Sequence, residues 1–204
     1  MDDPKSIVAR GYDIVAEIYL ERFGRSQVRD RWTNELIKHL PEHARVLDLG
    51  CGAGVPVALR LTEHGLDVLG IDVSIRQIEL ARINVPAAEF LQADMTGVGF
   101  APASFDAIAA FYSITHVPRA QHAELLRRIA NWLKPRGLLV ASLGSGDCAE
   151  WRGEWLGAEM FFSHYDAHVY QRLVCDAGLT IEYTEVVDQD NDDGRFFWVI
   201  ARSP

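Results

Sequence analysis

The sequence has few cysteines, few cations and no long apolar run, and each shortage removes a class of protein. Its 204 residues include 3 cysteines without C-x-x-C spacing, so we expect neither a zinc site nor a disulfide framework. Lys and Arg number 20 against 29 Asp and Glu, and this net charge of −9 argues against nucleic acid as the main partner. No apolar stretch approaches the length of a membrane span.

The N-terminus, Met1-Asp2-Asp3-Pro4, is acidic and has no signal-peptide core. We therefore expect a cytoplasmic protein with no membrane partner and no bound metal, either a monomer or a homodimer. The length suits one α/β domain with a substantial core, and the chain has neither an internal repeat nor a low-complexity segment.

The most informative stretch runs from Val46 to Gly54 and reads VLDLGCGAG. Its apolar start predicts a short buried strand from Arg45 to Leu49. The glycines that follow allow a sharp turn and a close ligand approach that side chains would block. Apolar residues at helical spacing then predict a helix from Val55 to His64. A strand, a glycine loop and a helix N-terminus together favour a nucleotide-like ligand.

The D-x-G-x-G-x-G spacing resembles motif I of the class I S-adenosylmethionine (SAM)-dependent methyltransferases, close to the type 11 methyltransferase domain. The resemblance implies that the loop passes under the methionine part of SAM, and that Asp48 helps to position the loop and the amino group. Cofactor contacts are then expected from Gly50, Cys51, Gly52 and Gly54. The alternative is a doubly wound domain that binds another nucleotide, or none.

A helix predicted from Ser6 to Phe23 carries a second signature. Residues 12–19 read YDIVAEIY, which resembles the Y-D-x-x-A-x-x-Y pattern before motif I in many small-molecule methyltransferases. The resemblance implies that this helix closes over the cofactor and that Tyr12 touches its methionine end. Tyr12 and Tyr19 lie seven residues apart and share a helix face, so plain amphipathic packing is the alternative. With a second predicted helix, this segment forms a helical cap over residues 1–40.

An acid at the end of the second predicted strand is the candidate ribose ligand. Asp72 closes the strand Asp67 to Asp72 and lies 22 residues beyond Gly50, close to the usual spacing for an acid that binds ribose hydroxyls. In the resembled family this acid binds both SAM ribose hydroxyls. A capping box formed by Ser74 and Gln77 should leave Asp72 free for the ligand, although Asp72 could itself be only a helix cap.

A third acid follows the next short strand, which is predicted from Ala88 to Gln92. Asp94 matches the family position that accepts a hydrogen bond from the adenine amino group, and Met95 could flank the ring. A local turn cap is the alternative for Asp94. Val73, beside the second acid, and Phe111, on the fourth predicted strand, complete the expected cofactor contacts.

The stretch from Cys148 to Phe162 is rich in aromatic residues and falls where the resembled family carries a variable, substrate-covering insert. We assign residues 144–163 to this insert. It is predicted to be either an apolar lid over the acceptor or a short helix packed on the sheet. The candidate acceptor contacts are Tyr112, Trp151, Trp155, Phe161 and Tyr165.

Two histidines are candidate catalytic bases. His116 follows the fourth predicted strand, near where the resembled family places acceptor-binding residues. His164 falls in the first turn of a helix predicted from Ser163 to Ala177, where the helix N-terminus would keep the imidazole neutral. For each histidine, a simple hydrogen bond in a loop is the alternative.

These features predict an α/β fold: a single doubly wound, Rossmann-like domain over residues 1–204, with a seven-stranded mixed sheet whose last strand is antiparallel. A polar turn at residues 189–194 should join the last two strands in a hairpin. The implied reaction transfers the methyl group of SAM to an O or N nucleophile of a small-molecule acceptor, leaving S-adenosylhomocysteine (SAH). The alternatives are a cyclase or pericyclase of the same fold, a non-catalytic SAM-binding module and a nicotinamide-dependent oxidoreductase.

Overall fold

Apolar strands alternate with amphipathic helices along the chain, and the computed structural model of the protein describes them over residues 3–190 and 193–204. The helices are α1 (Pro4–Phe23), α2 (Gln27–Ile37), α3 (Val57–Glu63), α4 (Ile75–Asn84), α5 (His122–Trp132) and α6 (Ala167–Asp176). The strands are β1 (Arg45–Leu49), β2 (Asp67–Asp72), β3 (Glu89–Gln92), β4 (Phe105–Ala110), β5 (Leu133–Gly144), β6 (Cys148–Trp155), β7 (Ala158–His164), β8 (Thr180–Asp188) and β9 (Arg195–Arg202).

Seven of these strands form one sheet in the order β3-β2-β1-β4-β5-β9-β8. The first five strands pair in parallel, whereas β9 runs antiparallel to both of its neighbours, β5 and β8. The predicted doubly wound sheet with an antiparallel last strand is therefore confirmed. The strand order reverses direction between β1 and β4, so a crevice opens at the carboxyl ends of these two strands.

Helices cover both faces of the sheet because its central strands are apolar on both sides. On one face, Leu61 of α3 and Ile78 of α4 belong to the core. On the other face, Leu125 of α5 and Tyr170 of α6 do so. In the part of the chain that the structure describes, no helix is both long and apolar enough to span a membrane.

The predicted insert is a β-hairpin, so the short helix offered as an alternative does not form. Strands β6 and β7 form a separate antiparallel pair that turns tightly at Leu156 and Gly157, where both φ angles are positive. The hairpin packs on α1, where Phe161 joins an apolar cluster with Val8. Gly11 permits this approach, because a Cβ there would lie 2.6 Å from the carbonyl oxygen of Glu159.

The helix predicted to start at Ser163 begins four residues later, at Ala167. Asp166 is its N-cap, and the Asp166 carboxylate accepts a hydrogen bond from the Val169 N–H at 2.9 Å. Ser163 ends up in β7 instead, where its hydroxyl donates to the carbonyl of Ala149. The S-x-x-D pattern thus contains the true cap as its last residue rather than its first.

The hairpin predicted at the end of the chain is formed by β8 and β9. Its polar turn was predicted over residues 189–194, of which Asn191 and Asp192 lie outside the described residues. On either side of them, the N–H of Gln189 donates to the carbonyl of Gly194 at 2.7 Å. This contact closes the hairpin turn, and Gln189 and Gly194 line a cavity together with Tyr112, which follows β4.

Candidate active site

The three loop glycines all have positive φ, but only one of them faces open space. A Cβ on Gly50 would lie 2.2 Å from the Cβ of Ser113, and one on Gly54 would lie 3.0 Å from Val85. A Cβ on Gly52 would meet nothing closer than 3.7 Å. Gly52 therefore presents bare backbone to a ligand, whereas Gly54 serves packing and lines neither cavity beside the loop. The expected cofactor contact from Gly54 stays a prediction, and its position in the structure gives that contact no support.

A cleft of about 670 Å³, including its open mouth, lies at the carboxyl ends of β1, β2 and β4. Most of the cofactor residues predicted from the sequence line it. They are Tyr12, Tyr19, Gly50, Gly52, Asp72, Val73, Asp94, Met95 and Phe111. Of the other three, Asp48 and Cys51 line an adjoining cavity of about 410 Å³ that shares the glycine loop with the cleft, and Gly54 lines neither space. We call these two spaces together the cofactor cleft.

Asp72 is tied to the loop that it faces. Its Oδ2 accepts from the N–H of Gly52 and its Oδ1 from the N–H of Ser74, both at 2.9 Å. Burial raises the pKa of Asp72 to about 6, although these backbone hydrogen bonds oppose the shift. Only half of the capping box forms, because the buried side-chain amide of Gln77 has no partner among the described residues. Asp72 therefore shares the capping of α4, and the expectation that it is free of structural duty was wrong.

A buried acid and a buried cation line the smaller cavity of the cofactor cleft, beside the glycine loop. Oδ2 of Asp48 has no hydrogen-bond partner within the described ranges, and burial raises the pKa of this carboxyl to about 7. Arg29 of α2 is 5% exposed and donates to the Tyr19 hydroxyl at 2.6 Å and to the Phe23 carbonyl at 2.7 Å. No carboxylate among the described residues pairs with it.

The role of Arg29 could not be predicted from the sequence, because this residue lies in a polar helix where an arginine is expected to face solvent. A buried cation with no carboxylate partner among the described residues and a carboxylate oxygen with no hydrogen-bond partner there, set beside bare loop backbone, fit the carboxylate and amino group of an amino acid. The methionine end of SAM carries both groups. The chemistry of this donor set therefore fits SAM at the cofactor cleft.

The predicted adenine ligand, Asp94, is held by α1. Lys5 forms an ion pair with Oδ2 of Asp94 at 2.8 Å and also donates to the hydroxyl of Thr96. Burial opposes ionisation of Asp94, but hydrogen bonds from Lys5 and Thr96 outweigh it and lower the pKa of this carboxyl. Asp94 is therefore a carboxylate and can accept a hydrogen bond at the mouth of the cleft.

His116 and Tyr12 form a hydrogen-bonded pair between α1 and the segment after β4. Nδ1 of His116 lies 2.9 Å from the carbonyl oxygen of Phe161, and its Nε2 lies 2.8 Å from the hydroxyl of Tyr12. A carbonyl can only accept, so Nδ1 carries the proton and Nε2 accepts from Tyr12. Burial lowers the pKa of His116 to about 4, which keeps the ring neutral at physiological pH.

A second cavity, of about 570 Å³, adjoins the cofactor cleft, and we call it the acceptor cavity. Four residues line both spaces: Tyr12, Tyr19, Tyr112 and His116. The remaining lining residues belong to the hairpin of β6 and β7, the segment after β4, the turn between β8 and β9, and β9 itself. They are Thr115, Trp155, Phe162, Gln189, Gly194 and Phe196.

Two of the five predicted acceptor contacts, Tyr112 and Trp155, line the acceptor cavity, and the other three do not. Trp151 is 40% exposed, Phe161 is buried against α1, and Tyr165 lies under Arg119, whose guanidinium carbon is 4.8 Å from its ring centre. Phe162 takes the position expected of Phe161. Successive residues of a strand point to opposite sides, and this choice could not be made while the hairpin was unknown.

His164 was proposed as a base because a helix N-terminus was expected there, and this reason was wrong. It ends β7 rather than opening a helix, and it therefore lacks the predicted helix N-terminus. Its Nδ1 lies 2.7 Å from the carbonyl oxygen of Gly146, and it lines neither the cofactor cleft nor the acceptor cavity.

Residues 46–137 match a methyltransferase domain family. The 27-O-demethylrifamycin SV methyltransferase of Amycolatopsis mediterranei is 29% identical over 89% of this chain and 76% of that protein. YqeM of Bacillus subtilis, assigned to the methyltransferases by name, is 31% identical over 66% of this chain, which spans only 56% of its length. The crystal structure of the [4+2]-cyclase SpnF has the same fold, with a TM-score of 0.78 at 19% identity, and the match covers 100% of this chain and 97% of that one.

The glycine loop, its acids and these relatives define one class of protein. The chain belongs to the class I SAM-dependent methyltransferases. Proteins of this class use SAM as their cofactor, and the donor set of the cofactor cleft agrees with SAM.

Proposed function

We propose that the protein transfers the methyl group of SAM to an O or N nucleophile of a small-molecule acceptor. One observation carries the proposal: the cofactor cleft and the acceptor cavity meet at Tyr12, Tyr19, Tyr112 and His116. Two reactants held in adjoining spaces need no further encounter, and such positioning accounts for much of the rate of bimolecular transfer.

The residues that would hold SAM follow from the groups that each can bond. Asp72 would accept from the ribose hydroxyls, Asp94 from the adenine amino group, and Asp48 from the amino group of the methionine end. Arg29 would pair with the carboxylate at that same end. When bound, SAM supplies an activated methyl group: the acceptor bonds to its carbon as the carbon–sulfur bond breaks and the electron pair stays on sulfur, which leaves SAH and one proton.

The Tyr12–His116 pair would take that proton. The Tyr12 hydroxyl donates to Nε2 of His116, and its own oxygen keeps lone pairs with which it can accept the acceptor proton. The proton would pass to the Tyr12 oxygen while the original Tyr12 proton moves to Nε2. His116, with a pKa of about 4, is a strong enough base for this step. The reason is that a proton on the acceptor oxygen or nitrogen becomes much more acidic when that atom gains a methyl group.

This proton relay favours methyl transfer over the other activities of the same fold. A [4+2] cyclisation, the activity for which SpnF is named, releases no proton, so it would gain nothing from a buried imidazole nitrogen that accepts a hydrogen bond from a tyrosine. A non-catalytic SAM-binding module needs no second cavity next to the first. A small acceptor agrees with the name of the Amycolatopsis relative, which refers to a demethylrifamycin.

The three free cysteines suit a reducing compartment, so we place the protein in the cytoplasm.

The test replaces His116 with glutamine and measures SAH formation with labelled SAM and an extract of candidate acceptors. Loss of the base should lower turnover roughly a hundredfold or more, while SAH affinity measured by calorimetry stays the same. His164→Gln is the matched control, since this histidine lines neither space, and its turnover should stay within twofold. Unchanged turnover in His116→Gln would mean that the reaction needs no base from this chain.

A further inference from the structure

Two hydroxyl groups at the acceptor cavity lack any hydrogen-bond partner in the described residues. They belong to Tyr112 and Thr115, whose side chains are only 7% and 2% exposed. Both residues line the acceptor cavity. Buried hydroxyls in folded proteins are almost always paired, so two unpaired ones in a single cavity point to a ligand that completes them.

Resting on the proposed function, we infer that the acceptor is a flat, uncharged molecule that carries a hydrogen-bonding oxygen besides its O–H or N–H nucleophile. The nucleophile faces the Tyr12–His116 pair. The second oxygen, a carbonyl or a ring oxygen, faces the hydroxyls of Tyr112 and Thr115. These two residues therefore determine specificity, and neither takes part in proton transfer.

The walls of the acceptor cavity select a flat molecule. Trp155 and Phe162 of the hairpin lie with ring centres 6.0 Å apart and nearly perpendicular planes. Phe196 of β9 packs edge-on to Tyr112, with ring centres 4.6 Å apart. Aromatic side chains from separate elements offer planar faces and edges that suit stacking against an aromatic ring system.

The lining of the acceptor cavity also disfavours a charged acceptor. None of the described residues that line it carries a charge at neutral pH, since His116 is held neutral by burial. A phosphate, carboxylate or ammonium group would lose its water here without gaining a counter-charge. The polar groups available are three tyrosine hydroxyls, the Thr115 hydroxyl, the Gln189 amide and one imidazole.

Tyr112 is fixed in place as a hydrogen-bond donor. Its φ of 58° is unusual for a residue other than glycine, and its N–H is held by the hydroxyl of Ser142 at 2.6 Å. The guanidinium carbon of Arg29 lies 4.7 Å from the centre of its ring. Burial raises the pKa of Tyr112, so the phenol keeps its proton and offers it to an oxygen. A carbonyl or ring oxygen is the complementary group.

The experiment uses two probes of nearly the same shape. 7-Hydroxycoumarin is a flat bicyclic phenol with a lactone carbonyl and a ring oxygen, and 2-naphthol is a bicyclic phenol without them. We expect the SAH-loaded protein to bind 7-hydroxycoumarin about tenfold more tightly than 2-naphthol near pH 6.5, since one added hydrogen bond is worth about that much. Phosphoethanolamine, a charged and flexible probe, should not bind.

Tyr112→Phe and Thr115→Val should each weaken 7-hydroxycoumarin binding about fivefold or more and leave 2-naphthol unchanged. Thr115→Ser keeps the hydroxyl and should restore the affinity. Equal affinity for the two aromatic probes, tighter binding of phosphoethanolamine, or variants that weaken both probes alike would each overturn the acceptor inference. If the wild-type protein does not bind SAH, the proposed function fails and the acceptor inference fails with it.

Discussion

Gly52 differs from its two neighbours in the loop because its missing side chain leaves space for a ligand rather than for the protein itself. We expect Gly52→Val to abolish SAH binding, since the new side chain would occupy the cofactor cleft. Gly65→Val is the matched control: Gly65 also has positive φ, at 75°, and has no atom near its Cβ position, but it lies outside the cleft. Calorimetry on both variants separates lost ligand space from backbone strain. Normal SAH binding by a folded Gly52→Val protein would show that the loop is misassigned.

Asp72 has a structural and a ligand-binding role, and its replacement should reveal both. In Asp72→Ala, SAH affinity should fall by about 1.5–3 kcal/mol, because charge-assisted hydrogen bonds to the ribose are lost. The free energy of unfolding without ligand should also fall, by about 1–3 kcal/mol, because the N–H groups of Gly52 and Ser74 lose their acceptor.

Asp67→Ala, at the exposed start of the same strand, is the control for Asp72→Ala, and we expect neither quantity to change. Denaturant unfolding and calorimetry measure the two effects separately. Weaker SAH binding with an unchanged free energy of unfolding would show that Asp72 acts only in ligand binding.

The sequence predicts residues whose role follows from local chemistry and misses those defined by distant contacts. Asp72 and Asp94 could be placed because a glycine loop and strand ends fix their positions along the chain. Arg29 and Thr115 could not, because their importance depends on which groups surround them after folding. His164 was wrongly expected at a helix N-terminus, because the start of that helix was predicted four residues too early.

Among the elements, α1 is the cover of the cofactor cleft. It is joined to the rest of the protein by Lys5 to Asp94 at 2.8 Å, by Tyr12 to His116 at 2.8 Å, and by the hydroxyl of Ser74, which donates to Asp13 at 2.5 Å. Apolar packing of Val8 against Phe161 of the hairpin adds to these contacts, but the polar contacts across the cleft can break and re-form as a ligand enters.

We therefore predict that hydrogen exchange in α1 slows when SAH binds. Protection should rise across residues 13–22, while peptides from α5, on the other face of the sheet, should exchange at the same rate with and without ligand. Lys5→Ala should speed both the binding and the release of SAH, because one contact of the cover is gone. Equal exchange in both states would mean that α1 is a fixed part of the core.

The hairpin of β6 and β7 shows why some elements escape sequence analysis. Its residues carry no clear alternation of apolar and polar side chains, because one side packs on α1 and the other meets the acceptor cavity. Both faces therefore need aromatic residues. The sheet strands, by contrast, are short apolar runs between glycines and helices, and these could be predicted from the sequence.

At the scale of the whole molecule, buried titratable groups set two opposing pH dependences. Asp48 and Asp72 have pKa values of about 7 and about 6, above the ordinary 3.8, so the folded protein binds more protons than the unfolded chain between about pH 4 and 6. Their contribution to stability falls as pH rises through that range.

His116 and His122 act in the opposite direction, with pKa values of about 4 against the ordinary 6.5. Between these values the unfolded chain binds more protons than the folded protein, so their contribution rises with pH. Two groups act in each direction, and the stability of the ligand-free protein should therefore change little between about pH 4.5 and 6.

SAH should remove this balance, because its hydroxyl and amino groups favour the ionised forms of Asp72 and Asp48. Binding then releases protons, and the affinity for SAH should rise as the pH increases from about 5 to 7.5. The rise in Tm caused by saturating SAH should accordingly be larger at the higher pH, since ligand stabilisation grows with the ratio of ligand concentration to Kd.

Thermal unfolding with and without SAH measures the shift in Tm, and calorimetry in buffers of different ionisation enthalpy counts the protons released on binding. Asp48→Asn should reduce both the proton count and the pH dependence. If the Tm shift is the same at both pH values and no proton is released, neither carboxylate contacts the ligand.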